Sequence, residues 1–229
     1  MAMDRTTWWQ DEEQGWRISL YRGVLSASLA RSILRDLETG IPWELHDQSS
    51  STRFTAWTTA KNCKCAYTYG QHRVRPLPFK EHWEAYQLMG QVLQLVMKGV
   101  SPYLPQFQWP NSANLNLYPG KDDCIPWHSD DENIFGGPED DKTIVSLSLG
   151  APRRFCMRRK TDKAAWYSVE LWGGDVLVMQ GSAQRHLEHC TLKDVGGPRI
   201  NITWRRIRFH TGQCSNTEDE EQPRAQLFQ

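Results

Sequence analysis

The chain has 229 residues, 39% of them hydrophobic and 24% charged, which is the composition of one globular domain with a complete core. Lysine plus arginine and aspartate plus glutamate number 27 each, so the balance of charge excludes a general attraction to nucleic acid or to anionic membranes. A polyanionic partner would therefore have to bind a local basic patch.

Both ends of the chain are polar. Residues 1–15 are acidic and lack the apolar stretch of a signal sequence, and no run in the chain is long and apolar enough to cross a membrane. Residues 211–229 contain the acidic run "NTEDEEQ". We predict a flexible segment at 1–15, a single domain at 16–210 and a flexible acidic tail at 211–229. We also expect an intracellular protein of the nucleus, the cytoplasm or both, which is not secreted.

Two amphipathic helices are predicted in the N-terminal half. The first follows Ser26, a suitable N-cap, and runs to Leu37 with apolar residues at three- and four-residue spacing. The second follows Pro78, shows the same spacing and ends at Gly99. Its apolar residues are Trp83, Tyr86, Met89, Leu93 and Val96. Both helices are expected to pack against a larger unit.

Residues 49–75, between the helices, have no helical period and mix aromatic with basic side chains. The side chains in question are Arg53, Trp57, Tyr67, Tyr69, Arg73 and Arg75. The segment also holds Cys63 and Cys65, which are separated by one residue instead of the two of a usual zinc half-site. With the other cysteines spread along the chain, this spacing favours reduced thiols over disulfides or structural zinc.

The C-terminal half consists of short strand-like runs separated by Gly, Pro and Asp. These runs are "NLNLY", "TIVSLSLG", "RRFCMRR", "WYSVEL", "DVLVMQG" and "RINITWRRIRF". No helical pattern of useful length lies between them, so the strands fit an antiparallel sheet far better than a parallel sheet, which would need crossover helices. The pattern predicts an antiparallel sandwich or barrel with its core at about residues 112–210.

A histidine and a carboxylate stand two positions apart in "HSDDE", at His128 and Asp130. On a strand such residues project to one face, where both can bind one metal ion. The third ligand would come from His186, His189 or His210. The alternative interpretation is an acidic surface loop that happens to contain a histidine.

The run "RINITWR" has one apolar and one polar face. Its polar residues are Arg199, Asn201, Thr203 and Arg205. In "LNLY", Asn116 and Tyr118 share a face in the same way. If the polar faces point into a barrel, the two arginines need an anion, since a buried unpaired guanidinium is costly. The alternative is that the arginines lie on an exposed edge strand.

Four segments together resemble the AlkB family of iron(II)- and 2-oxoglutarate-dependent nucleic-acid dealkylases. They are "NLNLYPGKDDCIPWHSDDE", "SLSLGAPRRFCMRRK", "GDVLVMQGSAQRHLEHC" and "GPRINITWR", in the family's order and spacing. The resemblance covers roughly Arg53–Phe209 and is closest to the branch that acts on single-stranded DNA and RNA. It implies a β-rich α+β fold with a double-stranded β-helix, or jelly-roll, core, flanking N-terminal helices and a nucleotide-recognition lid at about 49–75.

The resemblance also implies the roles of the site residues. His128, Asp130 and His189 become the ligands of Fe(II) and thereby the catalytic residues. The match of "GSAQRHLEH" to the family's segment ending in the distal histidine favours His189 over His186, and the family's order excludes His210. The 2-oxoglutarate co-substrate would be bound by Asn116, Tyr118, Arg199, Thr203 and Arg205, with Arg205 on the far carboxylate and Arg199 nearer the metal. O2 would complete the set of reactants.

The implied activity is oxidative demethylation of bases such as N1-methyladenine and N3-methylcytosine in single-stranded DNA or RNA. Formaldehyde, succinate and CO2 would be the products. We expect Asp131 to recognise the cationic base, Tyr69, Trp57 and Tyr67 to contact it, and Arg158 in the basic run at 153–160 to contact phosphate, in a monomer that does not bind membranes. Two alternatives are an Fe(II)/2-oxoglutarate hydroxylase of a protein or small molecule, and a non-catalytic reader of modified nucleic acid.

Overall fold

The computed structural model describes residues 4–48, 51–69, 72–104, 108–193, 196–211 and 214. The helices are α1 (Ala27–Gly40), α2 (Trp83–Val100) and the short α3 (Ala183–His186). The strands are β1 (Asp4–Asp11), β2 (Trp16–Arg22), β3 (Glu44–Gln48), β4 (Ser51–Thr59), β5 (Tyr67–Tyr69), β6 (His72–Val74), β7 (Ser112–Tyr118), β8 (Ile125–His128), β9 (Ile144–Gly150), β10 (Arg153–Arg159), β11 (Asp162–Leu171), β12 (Val176–Gly181), β13 (Leu187–Thr191) and β14 (Arg199–Arg205).

Two antiparallel sheets form the core. The larger has the strand order β1-β2-β12-β9-β14-β7-β4-β3, and the smaller has the order β11-β10-β13-β8. One apolar cluster takes Leu177 from the larger sheet and Met157 from the smaller, so the two sheets face each other. A separate hairpin consists of β5 and β6. The predicted antiparallel sandwich is confirmed, in the form of a jelly roll with few helices.

The helices cover the outer face of the larger sheet. Ile200, Ile202 and Trp204 of β14 share one apolar cluster with Leu37 of α1 and Met89 of α2. Because side chains alternate along a strand, the remaining residues of β14 point into the space between the sheets. These inward residues are Arg199, Asn201, Thr203 and Arg205. The polar face read from the sequence is therefore the inner face.

Both predicted helices are present. Helix α1 begins after Ser26, whose Oγ accepts a hydrogen bond from the backbone N–H of Leu29 at 3.3 Å. This contact satisfies one of the amides that the first helical turn leaves without a partner. Helix α2 runs to Val100, one residue past the predicted end at Gly99. Among the described residues, no helix is long and apolar enough to cross a membrane.

The N-terminal segment differs from the prediction. Asp4–Asp11 form β1, which pairs with β2 at the edge of the larger sheet. Trp8 and Trp9 of this strand pack against the apolar cluster between the sheets, and this burial holds the segment in place. The prediction of a flexible segment at 1–15 is therefore wrong for residues 4–15, the part that the structure describes.

The region predicted as a lid is divided between two structures. Strand β4 pairs with β7 and belongs to the larger sheet, so only the hairpin of β5 and β6 lies apart from the core. The local sequence could not indicate that β4 belongs to the larger sheet, because the partner of β4 lies more than 50 residues away in the chain. Of the predicted tail, residues 212, 213 and 215–229 lie outside the described part of the chain.

Two leucines of α1 offer a test of the packing between helix and sheet. Leu37 is 1% exposed and Leu29 is 38% exposed, while both have the same helix propensity. We expect Leu37→Ala to lower the free energy of unfolding by about 2–5 kcal/mol, because it leaves a cavity in the core. Leu29→Ala should cost clearly less. Denaturant titration of both variants measures the difference, and equal losses would contradict the packing described.

Candidate metal and anion site

Three side chains with metal-binding atoms meet between the sheets. His128 ends β8 and lies opposite His189 of β13 in the antiparallel pairing, while Asp130 follows in the loop after β8. One ligand atom from each of the three lies within 4.8 Å of the others. The two histidines are about 60 residues apart in the sequence, and they come together because the strands that carry them are neighbours in the smaller sheet. The sequence-predicted triad is thus brought together.

The protein holds two of these groups in a fixed orientation. The Nδ1 atom of His128 lies 2.8 Å from the carbonyl oxygen of Pro126, which can only accept a hydrogen bond. Nδ1 is therefore the donor in this contact, which leaves Nε2, 3.8 Å from Asp130 Oδ1, as the ring nitrogen that faces the other two side chains. The backbone N–H of Asp130 donates to Gln184 Oε1 at 2.8 Å and fixes the loop.

The charge states suit a metal ion. Burial raises the pKa of Asp130, but the positive charge of Arg205, followed by the two histidines, outweighs burial and lowers it to about 2. Burial lowers the pKa of His189 to about 3. The site therefore combines an ionised carboxylate with a neutral imidazole near neutral pH, which are the forms that coordinate metals.

Arg205 lies at the metal end of the site. Its Nη1 atom is 3.4 Å from Asp130 Oδ1 and 3.1 Å from Glu132 Oε2. The guanidinium also lies over the rings of Phe135, at 4.1 Å, and Tyr67, at 5.0 Å. Arg205 is 2% exposed, so the two carboxylates compensate a fully buried charge.

Arg199 lies at the other end of the inner face of β14. Its Nη2 donates to Ser148 Oγ at 3.0 Å, and its guanidinium lies 5.2 Å from the ring centre of Tyr118. Within the described part of the chain, Arg199 Nε and Nη1 and the Tyr118 hydroxyl are buried without a hydrogen-bond partner. Burial lowers the pKa of Arg199. Such a group needs an anion from outside the protein.

The order of the two arginines corrects one expectation. The resemblance predicts Arg199 nearer the metal and Arg205 farther away, whereas Arg205 is the one that contacts the metal-ligand carboxylate of Asp130. The two arginines are six residues apart on one strand, which corresponds to roughly 20 Å. The unpaired guanidinium for a second carboxylate is therefore that of Arg199.

One cavity connects the two ends. It is bordered by every residue predicted to bind the metal or the co-substrate, namely Asn116, Tyr118, His128, Asp130, His189, Arg199, Thr203 and Arg205. Thr203 Oγ1 donates to Asn201 Oδ1 at 3.0 Å and turns toward this cavity. Residues from both sheets thus surround a space with a metal-binding triad at one end and an unpaired cation at the other.

Two further residues of the cavity region were not predicted to belong to the site. Arg53 of β4 also borders the cavity, and its Nε donates to Asn116 Oδ1 at 2.8 Å. The alternation of Arg53, Thr55 and Trp57 in β4 was the available signal. Glu132, to which the sequence assigns no role, supplies the second carboxylate that pairs with Arg205.

Asp131, predicted to recognise the base, lies at the accessible edge of the site. Its side chain is 39% exposed, and its Oδ2 is 3.4 Å from Lys160 Nζ. Lys160 follows β10 and also donates to the carbonyl oxygen of Gln184 at 2.9 Å. The turn between β10 and β11 is thereby held against the rim of the site.

The three predicted aromatic contacts have different positions. Trp57 is fully buried, and its Nε1 donates to the carbonyl oxygen of Cys65 at 2.8 Å. It cannot stack on a base, so that prediction is wrong; instead it stacks on Tyr67, with ring centres 5.1 Å apart. Tyr67 borders the cavity and donates its hydroxyl to Glu132 at 2.7 Å. The side chain of Tyr69 lies outside the described residues.

The basic run at 153–160 does not form one exposed patch. Arg158, predicted to contact substrate, donates to Glu188 Oε2 at 3.0 and 2.8 Å and lies 4.1 Å from the ring centre of Trp127. Arg153 is buried and donates to backbone carbonyls, including that of Gly120 at 3.0 Å. Because strand alternation turns these side chains to opposite faces and neighbours neutralise them, adjacency in sequence did not produce a common surface.

Comparison with known proteins agrees with this geometry. The profile described as "2OG-Fe(II) oxygenase superfamily" matches residues 17–205. The chain is 30% identical over 207 residues to "Alpha-ketoglutarate-dependent dioxygenase alkB homolog 3" of Bos taurus and of Homo sapiens. Each alignment covers 83% of this chain and 66% of the relative, so the chain spans just under two thirds of those proteins.

Two more distant similarities concern part of the chain and the fold. "DNA oxidative demethylase ALKBH2" of Arabidopsis thaliana is 29% identical over 154 residues, which cover 57% of this chain and 46% of that protein. The solved structure of OsALKBH1 superimposes with a TM-score of 0.53 at 16% identity and covers 82% of this chain and 97% of that one. This last similarity concerns the fold alone.

Proposed function

Because the chain belongs to the AlkB family of the 2OG-Fe(II) oxygenase superfamily, we propose that it is an Fe(II)- and 2-oxoglutarate-dependent dioxygenase that dealkylates nucleic-acid bases. The observation that carries the proposal is the single cavity with His128, Asp130 and His189 at one end and the unpaired Arg199 at the other. A dicarboxylate that binds the metal with one end would reach Arg199 with its other end and so span this cavity.

The donor set fits iron. Two imidazoles and one carboxylate form the facial triad of non-haem Fe(II) oxygenases and leave coordination positions open for other ligands. When bound, the iron supplies the oxidising chemistry together with O2 and 2-oxoglutarate. The chain contributes the orientation of His128 through Pro126 and the ionised state of Asp130 beside Arg205. The position of these groups between two sheets excludes bulk water.

The cavity also fits 2-oxoglutarate. We assign its far carboxylate to Arg199 and Tyr118, because both have buried polar atoms without a partner in the described chain and they pair with each other at the end of the cavity away from the triad. A guanidinium binds a carboxylate with two parallel hydrogen bonds and compensates its own burial in doing so. Asn116 and Thr203 border the same space and supply further polar contacts. Arg205 remains paired with the carboxylates of Asp130 and Glu132 at the metal end of the cavity.

For the substrate we propose an N-alkylated base such as N1-methyladenine or N3-methylcytosine in single-stranded DNA or RNA. Both bases carry a positive charge that normal bases lack, and Asp131 offers a partly exposed carboxylate at the rim. A base must leave any stack to reach a buried metal, which favours single strands. Oxidation of the methyl carbon releases formaldehyde, and 2-oxoglutarate becomes succinate and CO2.

The first test measures the reaction itself. The chain is loaded with Fe(II) and 2-oxoglutarate without oxygen and then exposed to O2 with single-stranded DNA or RNA oligonucleotides that carry either methylated base. We expect formaldehyde and the unmethylated base, detected by mass spectrometry, and no product from His128→Ala. Consumption of 2-oxoglutarate without any change in the base would point to a protein or small-molecule substrate. Binding of the methylated strand with no consumption of 2-oxoglutarate would instead indicate a reader.

A second test concerns the division of the cavity. Arg199→Ala should raise the KM for 2-oxoglutarate by roughly 10- to 100-fold, since a charged hydrogen-bonding partner of the co-substrate is lost. Fe(II) binding should persist, because Arg199 has no contact with the triad. Arg154→Ala, on an exposed position of β10, is the matched control. An unchanged KM, or a loss of iron binding in parallel, would show that Arg199 has another role.

A third test concerns Asp131. Asp131→Asn keeps the size of the side chain and removes its charge, so kcat/KM for cationic N1-methyladenine should fall by about 10-fold. The same variant should leave the rate on a neutral lesion, N3-methylthymine, much less affected. Asp122→Asn, on an exposed loop, serves as the control variant. Equal losses on cationic and neutral bases would exclude recognition of the charge by Asp131.

A further inference from the structure

Three cysteines and a histidine from distant parts of the chain meet beside the hairpin of β5 and β6, which we call the lid hairpin. Cys63 and Cys65 lie in the loop between β4 and β5, and His210 and Cys214 follow β14. One ligand atom from each of the four lies within 4.8 Å of the others. We call these four residues the Cys3His cluster. None of them borders the cavity of the iron site.

The distances fit tetrahedral coordination of one ion. His210 Nδ1 lies 3.7 Å from Cys63 Sγ, 3.4 Å from Cys65 Sγ and 3.2 Å from Cys214 Sγ. A tetrahedral zinc ion with usual bond lengths separates a sulfur from a nitrogen ligand by roughly 3.6 Å. The observed distances lie on both sides of this value, so an ion fits among the four atoms with small adjustments.

Local backbone contacts hold the first two cysteines. The N–H of Cys63 donates to the carbonyl oxygen of Ala60 at 3.0 Å, and Thr59 Oγ1 donates to the carbonyl oxygen of Cys63 at 2.9 Å. Asn62, directly before Cys63, has a φ of 69°, the left-handed conformation that Asn adopts in tight turns. This turn at residues 60–63 fixes the backbone from which Cys63 reaches the cluster.

The other two ligands are also held in place. The N–H of Cys214 donates to the carbonyl oxygen of Thr211 at 2.8 Å, which turns the chain back toward His210. The N–H and hydroxyl of Thr211 lie 3.4 and 3.7 Å from Cys65 Sγ. Hydrogen bonds to a ligand sulfur are the usual second layer of a metal–thiolate site.

The cluster lies in apolar surroundings. Cys63, Cys65 and Cys214 are buried with Trp57, Tyr67, Phe135 and Ile207 in one apolar cluster. Inside an apolar group, thiolates become stable only beside a cation.

We propose that the Cys3His cluster is a structural Zn²⁺ site. Three thiolates and one imidazole are a ligand set that zinc prefers, and four protein ligands leave no open position for catalysis. Cys63, Cys65 and Cys214 are not joined by disulfides, and a disulfide would join only two of them. The prediction of reduced thiols from the Cys63–Cys65 spacing considered a local half-site and missed the partners that follow β14.

The zinc site would attach the chain after β14 to the loop that precedes the lid hairpin. Cys65 also accepts the Trp57 indole hydrogen bond through its carbonyl oxygen, at 2.8 Å, and Trp57 stacks on Tyr67. The ion would therefore fix the aromatic wall of the cavity from behind. This inference does not rest on the proposed function, because metal content is measured without substrate.

The experiment measures zinc in the full chain with the iron site removed. His128→Ala and Asp130→Ala together eliminate the triad, so zinc bound there cannot be mistaken for zinc in the Cys3His cluster. We expect about one zinc per chain by mass spectrometry of the elements after treatment with a chelating resin. Adding Cys63→Ser or Cys214→Ser should reduce this to less than about a tenth. Cys124→Ser, outside the cluster, should retain it.

Two measurements keep the test valid if a serine variant fails to fold. Cobalt substituted for zinc should give sulfur-to-cobalt charge-transfer bands and the intense visible bands of tetrahedral Co²⁺. His210→Cys should keep the zinc, as a four-thiolate site, while His210→Ala should lose it. The proposal is overturned by zinc absent from the protein with an intact cluster, by zinc unaffected in both serine variants, or by a disulfide between Cys214 and either other cysteine.

Discussion

The buried ion pairs of Arg205 are the interaction on which the site depends. The guanidinium of Arg205, on β14 of the larger sheet, contacts Asp130 and Glu132, which belong to the loop after β8 of the smaller sheet. A guanidinium without these partners would be far too costly between the sheets, and the charge of Arg205 in turn lowers the pKa of the buried Asp130 carboxyl. The same contact therefore joins the two sheets, sets the charge of a metal ligand and leaves Arg199 as the unpaired cation for a co-substrate.

Much of this arrangement could be predicted because it follows from periodicity. Alternation along β14 separates Ile200, Ile202 and Trp204, which pack under the helices, from the polar residues of the inner face. The His-x-Asp spacing indicates a pair of ligands on one side of a strand end. The roles of individual residues came from the family resemblance, and there the order of Arg199 and Arg205 was wrong. Which end of β14 lies near the metal depends on how the larger sheet packs against β8 of the smaller sheet. The sequence of β14 itself gives no indication of that packing.

The contacts that escaped prediction share a physical cause. Trp57 appeared suitable for stacking on a base, yet it is buried because β4 joins the larger sheet through β7. Arg158 appeared to belong to a basic patch, yet Glu188 on the neighbouring strand β13 neutralises it. The Cys3His cluster joins residues about 145 positions apart, so the spacing of Cys63 and Cys65 alone could not reveal it. In each case the deciding partner lies far away in the chain.

The two metal-binding clusters are connected by a short series of contacts. The carbonyl oxygen of Cys65 accepts from Trp57, and Trp57 stacks on Tyr67. Tyr67 donates to Glu132 at 2.7 Å, and Glu132 pairs with Arg205 beside the ligand Asp130. Each side chain in this series is buried or nearly so, so each position is fixed by its neighbours rather than by solvent. A rigid support behind Tyr67 limits how far the Glu132 carboxylate can move, and this in turn holds Arg205 against the metal ligand. Tyr67 of the hairpin thus borders the cavity and also packs in the apolar cluster that contains the three cysteines, which gives a structural ion there a direct mechanical effect on the geometry of the iron site.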